Sequence, residues 1–146
     1  MSSISPEENK SEAEQGPARQ RRGHVDIVLA NEALDVVNLT LRRMPMKLQL
    51  LAGDVRVHFE DYAPQDVIEQ GFEPDILGLF VGDPLGAETA NENPFPAQII
   101  LYIGSIWDFS QGDRVVFRDE VRLTYLHELG HFFGWDEEQV AEHGLE

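Results

Sequence analysis

The sequence predicts a fold that mixes helices with a few strands, and three observations carry that expectation. Apolar residues recur at three- and four-residue steps after residue 26, strand-like patterns follow in three short segments, and helical periodicity returns before residue 133. No internal repeat interrupts this order, and 146 residues suffice for one domain with its own core.

Taken in order, residues 1–24 have almost no apolar content and are expected to form a disordered arm. The domain is expected over 25–146. It opens with HVDIVLANEALDVVNLTLRRMP, where Ile27, Val28, Ala30, Leu34, Val37, Leu41 and Met44 predict an amphipathic helix closed by Pro45. DVRVHFED then alternates Val55, Val57 and Phe59 with Arg56, His58 and Glu60, the period of a half-buried strand. His58 falls on its polar face, as a solvated strand histidine rather than a ligand. DILGLFVG predicts a second strand, bounded by Pro74 and by GDP at 82–84. DPLGAETANENPFPA, with its three prolines, is expected to be a long loop, either the rim of a substrate cleft or a surface insertion. QIILYIG at 98–104 is the strongest strand pattern, and SIWDFSQGD after it is expected to be a loop. Asp113 or Asp119 can cap a helix that runs to Phe133, where Gly134 supplies a left-handed stop. DEEQVAEHG adds a last helical turn or two.

Composition narrows the chemistry. The chain has no cysteine, which removes disulfides, thiolate metal sites and cysteine nucleophiles, so a metal must be held by His, Asp, Glu or water. No stretch approaches the roughly 20 apolar residues of a membrane helix, and the polar start lacks the apolar segment of a secretory signal. A soluble cytoplasmic protein without membrane partners is expected. The net charge is −16; residues 1–24 hold four acids and four bases, so the remaining 23 acids and 7 bases carry all of it. Such a surface repels phosphate backbones, and nucleic acid is not an expected partner. The run RQRR at 19–22 reads as part of a solvated tail.

Chemistry concentrates in TYLHELGHFFGWDEEQ, residues 124–139. At about 100° per residue, His127 and His131 fall within about 40° of each other, with Glu128 about 100° from the first. Glu120 and Thr124 share the histidine side. Val121, Tyr125, Leu126, Leu129, Phe132 and Phe133 form an apolar stripe opposite, suited to packing on a sheet. Two neutral imidazoles one turn apart can bind one tetrahedral metal, and a glutamate beside the first can act as general base on activated water without being a ligand. Zn²⁺ is the expected cofactor. A third protein ligand is expected at Glu137, three residues beyond Gly134, with Asp136 as the alternative and His143 a weaker one.

With those residues in view, the chain resembles the small bacterial zincin-like metallopeptidases, whose members carry a stretch similar to H-E-[IL]-G-H-[HF]-F-G-[LIW]-[SD]-[DE]-E. His127, Glu128, Gly130, His131, Phe133, Gly134 and Glu138 match that run, and the segments RRMP, DVRVHFED, ILGLFVG and IILYI extend the similarity over about residues 25–143. The resemblance implies a compact α+β fold, with a small mixed sheet packed against two principal helices and one metal held by the second of them. It also implies peptidase chemistry on a peptide or protein substrate. This chain departs from related patterns in two ways: no methionine follows Met46 to form a Met-turn, and Glu137 stands where similar sequences often carry Asp.

The leading expectation is therefore a zinc metallopeptidase with Glu128 as base and an extended substrate pairing with a sheet edge, for which QIILYIG is a candidate. Tyr102, Tyr62 and His143 are candidate oxyanion stabilisers by residue type, whereas Tyr125 points to the core side. One alternative is a non-catalytic metal-binding or interaction module. Another is a metal-dependent endoribonuclease, which the GWD turn at 134–136 suggests but the missing third histidine and the net charge oppose.

Overall fold

The computed structural model describes residues 26–86 and 96–142, apart from the side chains of Glu137 and Val140. The expected arm, residues 87–95 of the expected loop, and His143 lie outside the described residues. Helix α1 (Ile27–Arg42) is followed by α2 (Met46–Ala52), β1 (Arg56–Glu60), α3 (Gln65–Glu69), β2 (Gly78–Val81), β3 (Gln98–Tyr102), α4 (Ile103–Phe109), α5 (Arg114–Phe133) and α6 (Glu137–Glu142). Two helices dominate, α1 with 16 residues and α5 with 20. The fold is α+β, as the resemblance implied.

The three strands form one mixed sheet in the order β1-β3-β2. β1 runs parallel to β3, from Arg56 opposite Gln98 to Glu60 opposite Tyr102. β2 runs antiparallel, from Gly78 opposite Leu101 to Val81 opposite Gln98. QIILYIG is thus the central strand, with both edges occupied, so it cannot receive a substrate strand. Its apolar richness reflects burial on two faces.

Alternation along β3 divides the core. Ile99 and Leu101 face the main cluster, with Ala33, Val36 and Val37 of α1 and Phe117, Val121, Tyr125 and Leu129 of α5. Tyr102, on the other face, packs with Ala63 and Val67, and Ile100 joins that smaller cluster. β1 keeps its predicted alternation, and His58 is exposed.

Three local expectations need correction. The buried side of α1 is Ala33, Val36, Val37 and Thr40, whereas Ile27 and Val28 are 74% and 62% exposed. The apolar residues of its first turn inflated the predicted stripe. SIWDFSQGD is largely helical: β3 passes directly into α4, and the amides of Gly104 and Ser105 are held by the Asp61 carbonyl, at 2.8 and 3.3 Å. The short helices α2 and α3 were not foreseen, because five to seven residues complete too few turns to show periodicity.

Candidate metal centre

Helix α5 starts and stops where local chemistry requires. The Asp113 carboxylate accepts from the amides of Val115 and Val116, at 2.9 and 3.1 Å, and caps the first turn. Gly134 ends the helix at φ 75° and ψ 25°, and the Trp135 amide donates back to the Gly130 carbonyl at 2.8 Å. The turn at Leu85 adds a tether: its amide donates to the Phe132 carbonyl at 2.7 Å.

Between those ends, the apolar stripe is buried against the sheet, and His127 and His131 are left exposed on the other side. Their ring centroids lie 5.0 Å apart, with the planes inclined at 53°. Two imidazoles so placed can direct nitrogen donors at one ion.

Glu128 differs from both histidines in being buried, with its side chain 10% exposed against 53% for that of His131. Its Oε1 lies 3.9 Å from His131 Nδ1. Burial pushes the carboxyl above its ordinary range, while His127 and a hydrogen bond from the Phe80 backbone N–H pull it back down. A carboxylate balanced in that way is a stronger proton acceptor than a solvated one.

The Phe80 amide reaches Glu128 because of the pairing of β2. The Tyr102 amide donates to the Leu77 carbonyl, which makes residues 77, 79 and 81 the ones whose backbone groups turn toward β3. Gly78 and Phe80 therefore direct theirs outward, toward α5. The approach is close: a Cβ on Gly78 would lie 2.7 Å from the Thr124 methyl. On the same face of the strand, two residues on, Phe80 packs its ring against Phe132, with centroids 6.2 Å apart. A cleft of about 360 Å³ opens between this edge and the helix, lined by Ile76, Leu77, Gly78, Leu123, Thr124, His127 and Glu128.

The two third-ligand candidates fall at the start of α6. The Asp136 carboxylate accepts from the Gln139 amide at 2.8 Å, and the Gln139 side chain accepts from the Asp136 amide at 3.0 Å, a reciprocal cap. Glu137 begins the helix itself, and its side chain is outside the described residues. Among the described residues no third His, Asp or Glu joins the pair.

The tyrosines are placed elsewhere. Tyr102 is fully buried across the sheet from α5, its hydroxyl pushed up to about 12 by burial and by Glu60 and Asp66, so it cannot serve as an oxyanion donor at His127. Tyr125 is in the core, as its helical position required. The Tyr62 hydroxyl donates to Asp108 at 2.9 Å. Sequence reasoning missed the contribution of β2, although a glycine inside DILGLFVG was a usable sign of close backbone approach.

No curated protein matches the chain. The profile described as zincin-like metallopeptidase matches residues 52–145, which takes in the whole sheet, the cleft edge and the histidine helix but leaves α1 outside. The histidine pair, the buried glutamate and that match lead to one conclusion: the chain belongs to the zincin-like metallopeptidase family.

Proposed function

We propose that this chain is a zinc-dependent peptidase in which His127 and His131 hold the ion, Glu137 completes the set and Glu128 is the general base. The observation that carries this reading is the pairing of two exposed imidazoles, 5.0 Å apart, with a buried carboxylate on the adjoining helix position at the mouth of a cleft. The donor set is imidazole and carboxylate, which fits Zn²⁺ with a position left for water. When bound, the ion supplies Lewis-acid activation of water and of the scissile carbonyl.

Each remaining role falls to the chain. Glu128 accepts a proton at its carboxylate and returns it to the leaving amine. The outward backbone groups of Gly78 and the Phe80 carbonyl offer an edge on which an extended peptide can be aligned. Ile76, Leu77 and Leu123 favour an apolar substrate side chain in the cleft. Asp136 is engaged in capping α6, which favours Glu137 over it as third ligand.

A non-catalytic metal-binding module is the second reading, favoured by the placement of Tyr102 and Tyr125 away from the histidines. Metal content and peptide hydrolysis of the wild type and of Glu128→Gln separate the two. Zinc in both with cleavage only by the wild type supports the peptidase; zinc in both with cleavage by neither supports the module.

A further inference from the structure

Residues 57–113 contain no lysine or arginine, and neither do residues 123–146. Of the seven lysines and arginines beyond residue 24, five are Arg42, Arg43, Arg114, Arg118 and Arg122, at the C-terminal end of α1 and along the first half of α5. The two helices run side by side there. Glu32 pairs with Arg114 and Arg118, and Asp35 with Arg118 at 3.0 Å. Beyond those pairs lies a groove of about 170 Å³, where Arg43, Arg118 and Arg122 surround an aliphatic floor of Val36 and Leu39, with Asp119 on its rim.

We infer that this groove is a binding site for a phosphate-class oxyanion. Arg118 has its guanidinium oriented by Glu32 and Asp35, whereas neither Arg43 nor Arg122 is engaged in an ion pair among the described residues. Two unengaged guanidinium forks beside an anchored one match the planar, multidentate recognition that phosphate oxygens favour. Thr40 also lines the groove, but its hydroxyl proton is directed to the Val36 carbonyl at 2.7 Å, so the donors are the arginines. Asp119 opposes an anion and limits the site's net charge. The size of the occupant follows from the rest of the surface. A polyanion meets the repulsion of a chain at −16, whereas a compact anion seated between the arginines is exposed mainly to their local field. Val36, Leu39, Thr40 and Arg43 lie outside residues 52–145 and Arg118, Asp119 and Arg122 within them, so the matched region alone does not form the groove.

Calorimetric titration with inorganic phosphate and with glycerol phosphate, at constant ionic strength, tests the site in the full chain. Binding is expected, weakened roughly tenfold or more in Arg43→Gln and in Arg122→Gln and unchanged in Arg56→Gln, whose side chain is on β1. Preference for inorganic phosphate identifies the free anion as occupant, and preference for glycerol phosphate identifies a phosphate ester. The titrations are repeated on chelator-treated protein, because phosphate can also ligate a metal. Binding that disappears with the chelator and survives Arg122→Gln overturns the proposal, as does absence of binding by either anion in folded wild-type protein.

Discussion

Arg114, Arg118 and Arg122 succeed one another on the first half of α5 at the same four-residue step that separates His127 from His131 on the second. On the first half, Arg114 and Arg118 reach carboxylates of α1 and join two helices. On the second, the histidines remain exposed, while the neighbouring carboxylate is buried and held by a strand amide. The same periodicity thus yields a surface joint in one place and a reactive cluster in the other. What differs is the element opposite: α1 brings carboxylates, and β2 brings an open backbone edge.

The strongest way to break that comparison is Glu128→Gln. Loss of peptide cleavage by a factor of roughly 10² to 10⁴ is expected, with metal content retained, as measured by steady-state kinetics and elemental analysis. Arg118→Gln, in the other half, is expected to leave cleavage intact. His127→Ala is expected to lower metal affinity by a factor of roughly 10² or more, measured with a competing chelator, because it removes a direct donor.

Stability changes should be smaller and follow packing. Gly78→Ala forces a methyl group into Thr124 and the β3 backbone, and a loss of about 1–3 kcal/mol is expected in urea unfolding. Asp113→Ala removes the cap shared by two amides, with an expected loss of about 1 kcal/mol in the same measurement.

The smallest effect is expected from pH. In metal-free protein, the Glu128 carboxyl is raised above its unfolded value, so its favourable contribution is present below the ordinary carboxylate range and is lost as pH rises through the raised folded value. Glu128→Gln lacks that loss and can still accept from the Phe80 amide. The melting temperature of the variant should therefore gain on that of the wild type as pH rises, and a gap independent of pH would contradict the burial argument.

Legibility in the sequence followed the reach of each interaction. The α5 helix and its stop at Gly134 could be read because stripe and stop are local signals within one segment, whereas the structure chose Asp113 over Asp119 as the cap. The separation of Tyr125 from the histidines was legible for the same reason. The central position of QIILYIG was not, since a strand rich in apolar residues reads alike whether one edge or both are paired. Nor was the face of Tyr102 relative to α5, which depends on how the sheet is covered. The α1 stripe was misread because Ile27 and Val28 have the right spacing but no neighbour to cover them.

By itself, the sequence determined the mixed fold class, the histidine helix with its two chemical sides, and a net charge hostile to polyanions. These follow from periodicity and composition, which act within a few residues or over the whole chain. Only the tertiary structure decided that β2 faces the cleft, that its Phe80 amide holds Glu128, and that scattered arginines from α1 and α5 share one groove. Those contacts join segments far apart in the chain, as does the pair of Glu32 with Arg114 that holds α1 against α5 across 82 positions, and no local pattern encodes which segments will meet.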